Sequence, residues 1–289
     1  MSLVNLQPYI LRAQREGFAI GAFNANTLEQ VQAIANAAQM EHAPALIQVS
    51  HRALQYLGSG NTTLGLQYFG AFAKIAAQNA RVPLALHLDH ANEIEVMQAI
   101  ALGFTSVMFD GGDLPFAENI AVTQRLRALA HENNVAIEAE VSAVPKPDSR
   151  GNLDRAVEIT AVADAIEFAR ATQVDNLAIA IGSVHAGKSK TVALDLERLR
   201  EIRAAVDTPL VLHGSSGVLD EHIAQSIQRG IAKINVATQL NQAFTQSIRS
   251  VLDADARESD PRKYLAPARI AVMERVRERI RFFGASGKV

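Results

Sequence analysis

Cysteine is missing from all 289 residues of the chain. That absence excludes disulfides, thiolate metal sites and cysteine nucleophiles together, and it permits the cytosol. Tryptophan is missing as well, and aromatic residues make up only 5% of a chain that is 48% hydrophobic. The core must therefore be built from Ala, Ile, Leu and Val. Neither charge is in excess, since 28 Lys and Arg face 30 Asp and Glu for a formal net charge of −2. No basic face is offered to nucleic acid or to an anionic membrane, although a local phosphate site stays open. No apolar run approaches the ~20 residues that span a bilayer, and Met1 to Arg15 lacks a basic segment followed by an apolar one. The expectation is a soluble, cytoplasmic protein.

What the sequence does contain is a repeated short apolar run: Phe18–Phe23, Ala45–Val49, Leu84–Leu88, Ser106–Phe109, Val135–Val141, Leu177–Ile181, Leu210–Leu212 and Ile231–Val236. Helical patterns fill the intervals. Thr27 with Gln30, and Asn92 with Glu95, are spaced as capping boxes; Pro115 opens one helix and Asp195 caps another. Buried strands alternating with helices imply parallel βαβ units, and eight such units imply closure into a (β/α)8 TIM barrel, a fold of about 250 residues. The expectation is a single domain over 1–289, with a C-terminal helical extension. That extension starts near Asp260, and its basic last helix runs from about Pro267 to Phe283. The segment Ser142 to Asp154 is rich in Pro, Gly, Ser and Asp and longer than a barrel loop requires, so it reads as an active-site loop or a plain surface loop.

Three of the eight histidines close such runs: His90 after Asp89, His185 and His213. One histidine at a strand end is more often a core or loop residue than a ligand. Three in one repeating pattern, with a carboxylate beside the first, make a candidate metal site with a fourth position open. Directly after His213 come Gly214, Ser215, Ser216 and Gly217, and the eighth run ends in Asn235, Val236, Ala237 and Thr238. Barrels bind phosphate after strands seven and eight, where backbone N–H groups and helix N-termini converge. Further carboxylates stand at Asp110, Glu138 and Glu140. A second cation position and a structural hydrogen-bond network both account for them.

The motifs Gly21-Ala22-Phe23-Asn24, His87-Leu88-Asp89-His90, Ser106-Val107-Met108-Phe109-Asp110, Glu138-Ala139-Glu140, Leu212-His213-Gly214-Ser215-Ser216-Gly217 and Lys233-Ile234-Asn235-Val236-Ala237-Thr238 resemble the class II, metal-dependent fructose- and tagatose-bisphosphate aldolases. The resemblance runs from about Leu3 to Lys288. It implies zinc held by His90, His185 and His213, Asp89 as acid/base at the C4 oxygen, and Asp110 with Glu140 as an alternative metal position. It also implies dihydroxyacetone-phosphate contacts from Ala186, Gly214, Ser215, Ser216, Asn235, Val236, Ala237 and Thr238, with Ser50 touching the aldehyde half. Asn235 counts among the catalytic residues too. A monovalent cation, Na+ or K+, and a homodimer or homotetramer complete the expectation.

The chemistry agrees: cleaving a carbon–carbon bond beside a ketone leaves an enediolate, and a zinc ion can spread its charge without a Schiff-base lysine. The chain departs from the family in two places. Val141-Ser142-Ala143-Val144-Pro145-Lys146-Pro147-Asp148 replaces a glycine-rich loop carrying the glutamate that moves the C3 proton, which makes Asp148 the candidate substitute. Ala186 stands where the family has glycine. Alternatives are a paralogous aldolase for another aldehyde half, a metal-dependent barrel hydrolase, or a non-catalytic subunit.

Overall fold

In a computed structural model, residues 2–142, 159–184 and 191–289 are described. The chain opens with α1 (Gln7–Glu16), followed by β1 (Ile20–Asn24), α2 (Leu28–Met40), β2 (Ala45–Ser50), α3 (His51–Leu57) and α4 (Thr62–Gln78). Then come β3 (Leu84–Ala91), α5 (Glu93–Ala101), β4 (Ser106–Phe109), α6 (Phe116–Glu132), β5 (Ala136–Glu140) and α7 (Val162–Thr172). The last third comprises β6 (Asn176–Ala178), α8 (Leu196–Ala205), β7 (Leu210–Leu212), α9 (Asp220–Gln228), β8 (Ile231–Val236), α10 (Thr238–Ala254) and α11 (Pro261–Phe282). The strands form a closed barrel in chain order, parallel throughout, with β8 pairing β1. All eight apolar runs fall on strands, because a strand covered on both faces needs a nearly continuous apolar sequence.

Local capping accounts for the helix starts. Asn92 and Glu95 form a reciprocal capping box at α5, and the Asp195 side chain accepts from the Arg198 N–H at α8. At α2 the pattern is only half realised. Thr27 accepts from the Gln30 N–H, but the Gln30 side chain takes the N–H of Asn26 rather than that of Thr27. No helix among the described residues is long and apolar enough to cross a membrane.

The C-terminal helix begins earlier than the sequence pattern suggests. It starts at Pro261 and carries Pro267 inside it. Asp260 caps the Arg262 N–H, and Pro261 at the first position sacrifices no intrahelical bond, so nucleation occurs ahead of Pro267. Helix α11 packs against α2 and α10. Its anchor is Glu41, which accepts from Arg277 Nε at 2.8 Å, Arg281 Nε at 2.9 Å and Ser286 Oγ at 2.9 Å.

Burial opposes the Glu41 charge, yet the Arg281 and Arg277 guanidiniums and the Ser286 hydroxyl outweigh it and hold the pKa at about 2. Because the folded pKa is depressed, this contribution to stability is present above the unfolded value near 4.5 and fades as pH falls toward 2. Glu41→Ala should destabilise the protein by about 2 kcal/mol at neutral pH, less than a fully buried pair because Arg281 reaches solvent. Chemical denaturation of the variant, with a midpoint that does not move, would remove Glu41 from this role.

Candidate active site

A cavity of about 830 Å³ opens at the C-terminal ends of the strands. Ser50, Asp89, His90, Asp110, Gly214, Ser215, Ser216, Asn235, Ala237 and Thr238 line it, so most of the residues singled out from sequence converge there. Glu140 and His213 are not among its lining residues, and each is about 1% exposed. Val236 packs into the core. Asp148, His185 and Ala186 lie outside the described residues.

The end of β3 brings Asp89 and His90 to the same mouth. Successive strand residues point to opposite faces, but His90 adopts a left-handed φ of +50° and the pairing of β3 with β4 shifts register between Leu88 and Ala91. A non-glycine residue in that conformation costs of order 1–3 kcal/mol and persists where its surroundings over-determine it. Here the restraint is visible: His90 Nδ1 lies 2.8 Å from Asp110 Oδ2 at the end of β4. With Nδ1 so engaged, Nε2 would be the nitrogen left to bind a metal.

Asp89 is nearly buried, and three amides point at its carboxylate. Asn235 Nδ2 donates at 2.9 Å, Asn24 Nδ2 at 3.2 Å and Gln48 Nε2 at 3.3 Å, from β8, β1 and β2. Burial resists its ionisation, but the charges of His90, His213 and Lys233 outweigh burial and hold the carboxyl below its ordinary range. It is therefore an ionised acceptor at neutral pH.

His213 is held from both sides. Its Nε2 is 2.8 Å from Glu138 Oε1, and its Nδ1 is 3.2 Å from Glu140 Oε2. Burial alone would depress its pKa, yet the bonds to Glu138 and Glu140 raise it to about 10. Glu138 in turn accepts from Lys233 Nζ at 2.7 Å, and Lys233 Nζ sits 3.4 Å from His87 Nε2. Burial, then the Lys233 charge, depresses His87 to about 3. The neutral ring donates from Nδ1 to Ser106 Oγ at 2.8 Å. Sequence reasoning named Glu138, with a structural hydrogen-bond network as one of two accounts of it, but missed its partners in this polar column: His87, Lys233, Gln48 and Asn24. Its signal was spacing: His87 and Asp89, Glu138 and Glu140, and Lys233 and Asn235 are each two apart, so each pair shares the barrel interior.

The donor set fits a metal. One ligand atom each from Asp89, His90 and His213 lie within 4.8 Å of one another, and the His90 and His213 rings meet at 4.8 Å between centroids. Two imidazole nitrogens and a carboxylate oxygen suit a divalent transition ion. Asp110 and Glu140 each sit against one of the two imidazoles. Gly214, with φ +65°, has no room for a Cβ, which would lie 2.8 Å from the backbone carbonyl of Val184. The chain that leads to His185 therefore passes directly against the His213 turn.

An imidazole must be neutral to bind a metal, so uptake at His213 would expel the proton that it holds up to a pH of about 10. Because the folded pKa is raised, the proton stabilises the metal-free fold fully below about 6.5 and progressively less up to about 10. Metal titration of the apo-protein near pH 7 should release protons into weakly buffered solution, with apparent affinity climbing as pH rises. Uptake with no proton release would show that His213 is neutral in the apo-protein.

The opposite rim is made by β7 and β8. Ser215 Oγ donates to the Asn235 carbonyl at 2.5 Å and ties the Ser215–Gly217 turn to the end of β8. Helix α10 then starts at Thr238 with no side-chain cap. The leading N–H groups of such a helix lack intrahelical acceptors and favour an anion.

The family described as fructose-bisphosphate aldolase class-II matches residues 4–288. The chain belongs to the class II fructose-bisphosphate aldolases. That family is metal-dependent and acts on phosphorylated sugars. Among its similar proteins are the fructose-bisphosphate aldolases of Staphylococcus epidermidis and Staphylococcus aureus, each 38% identical over 100% of this chain and 99% of the relative. The crystal structure of the YdjI aldolase from Escherichia coli K12 covers 99% of both chains at 30% identity with a TM-score of 0.84. A fructose-bisphosphate aldolase from Campylobacter jejuni, at 22% identity, 98% of this chain, 95% of that one and a TM-score of 0.83, shares the fold. The class II aldolase family thus spans the whole barrel together with α11.

Proposed function

We propose that the protein is a zinc-dependent aldolase that cleaves and forms a ketose bisphosphate, giving dihydroxyacetone phosphate and an aldehyde such as glyceraldehyde 3-phosphate. The observation that carries the reading is an ionised, amide-held Asp89 within 4.8 Å of two imidazoles, at the floor of a cavity rimmed by a phosphate-type turn and helix start. Among the described residues no lysine lines that cavity, and Lys233 is locked to Glu138. Schiff-base chemistry is thereby disfavoured.

His90, His185 and His213 would hold the zinc, with Asp110 and Glu140 as a second position for it. A bound zinc supplies the positive charge that the developing enediolate needs. In the cleavage direction Asp89 takes the C4 hydroxyl proton as the C3–C4 electron pair passes to the ketone half. Asn235 orients Asp89 and, with Ala186, Gly214, Ser215, Ser216, Val236, Ala237 and Thr238, holds dihydroxyacetone phosphate, and Na+ or K+ would be a further cofactor. Ser50 meets the aldehyde half. The same reading takes the chain as one cytoplasmic domain acting as a homodimer or homotetramer, without nucleic-acid or membrane partners.

Metal analysis coupled to an assay of dihydroxyacetone phosphate release from a panel of ketose phosphates tests the whole reading. Zinc-loaded protein that releases none from any of them would overturn it. The C3 proton is assigned to Asp148. Asp148→Ala should slow exchange of that proton with deuterated water about a hundredfold while zinc content holds, as followed by NMR. Exchange at the parent rate would end the assignment.

A further inference from the structure

Of the residues lining the active-site cavity, Arg52 is the one Lys or Arg among those described. The aldolase reading gives the β7–β8 rim to one phosphate, and for the other half of the substrate it names only Ser50, a neutral hydroxyl. Arg52 lines the same cavity on the β2 side. Ser50 is the strand partner of Asp89 in the β2–β3 register, so Arg52 follows two residues after the point level with the acid/base.

The rim is braced rather than loose. Ser50 caps α3 by accepting from the Ala53 N–H. His51 Nδ1 lies 2.8 Å from Glu95 Oε1, and its Nε2 meets the Gln55 amide at 3.0 Å. Glu95 is nearly buried, and its second oxygen accepts from the Asn92 N–H at the end of β3. The backbone of Arg52 is thus fixed between the ends of β2 and β3, while no carboxylate among the described residues pairs with its guanidinium. On the β4 side of the same cavity stand Asp110, which holds the His90 ring, and Asp113, and neither offers an anion a cationic group.

We infer that Arg52 is the specificity residue by which this chain selects an aldehyde half ending in an anion, phosphate or carboxylate. The inference rests on the aldolase reading. A guanidinium meets either anion with two parallel N–H bonds, whereas a neutral hydroxymethyl end gains nothing comparable. The selectivity is made at the rim, away from the reacting carbons, and it acts on capture of the aldehyde.

Condensation with dihydroxyacetone phosphate by the full-length, zinc-loaded protein tests this, using three aldehydes that differ at one end. These are glyceraldehyde 3-phosphate, tartronate semialdehyde, which ends in a carboxylate, and neutral glyceraldehyde. The parent should prefer at least one anionic aldehyde over glyceraldehyde in kcat/KM, and the better of the two names the terminus. Arg52→Gln should collapse that ratio by about tenfold or more, mainly through KM, while Arg52→Lys keeps a good part of it because charge survives and bidentate geometry does not. A parent without preference, an Arg52→Gln variant that keeps the parent's ratio, or one that slows all three aldehydes equally would each overturn the inference. No aldol product from any aldehyde would overturn the aldolase reading itself, which is a separate outcome.

Discussion

His213→Ala should give a folded barrel that neither retains zinc through purification nor releases dihydroxyacetone phosphate. The imidazole lies about 1% exposed between Glu138 and Glu140, and it contributes one atom to the cluster with Asp89 and His90. Removing it takes away a ligand and leaves the Glu140 carboxylate without its neighbouring imidazole, so any ion would bind with fewer donors and poorer orientation. Turnover should fall by roughly a thousandfold or more, since the electrophile is worth several kcal/mol of transition-state stabilisation. Glu138 keeps Lys233 as its partner, which limits the damage to the fold. Circular dichroism and metal analysis on the same sample separate the two effects. Full zinc occupancy in a folded His213→Ala protein would take His213 out of the ligand set.

Asp89→Asn should retain zinc and lose at least about a hundredfold in kcat, the usual worth of a positioned acid/base. The isosteric amide keeps the shape of the site but cannot take a proton, and its NH2 must face amides from Asn24, Gln48 or Asn235 that now donate to a carboxylate. Three outcomes separate its roles. Zinc kept with turnover lost assigns proton transfer; zinc lost makes Asp89 a ligand, as its place in the cluster allows; turnover kept leaves it only orienting its neighbours. In the zinc-loaded parent the imidazolium charges would give way to Lys233 and the metal as the cations near Asp89, so the acid limb of kcat/KM should lie below the ordinary carboxylate range.

The strands and much of the capping were open to reading from local pattern. A buried parallel strand has to be apolar along its length, and a helix start has to offer an acceptor to its bare N–H groups. Thus Leu84–Leu88 and the Asn92–Glu95 box were visible without coordinates. The start of α11 was not, because Pro267 reads as a boundary, whereas the Asp260 cap and packing on α2 and α10 carry the helix across it. His90 and His213 were legible as candidate strand-end ligands, Asp89 as a candidate acid/base beside them and Gly214 to Ser216 as a phosphate turn, but that Asp89 shares one cluster with both rings was visible only in the structure. Glu138 was legible only as a costly buried charge.

Pattern along the chain was enough for eight βα units and for the residue types at the strand ends, because periodicity and polarity are properties of neighbours. Which partner each polar group takes was decided by closure of the barrel. Glu138 belongs to His213 and Lys233, 75 and 95 residues away, because β5, β7 and β8 point those side chains into one interior. The left-handed turn at His90 likewise has no local signature. It exists because Asp110 on the neighbouring strand holds the ring and the β3–β4 pairing slips there, and a contact between strands is a fact only the closed sheet can supply.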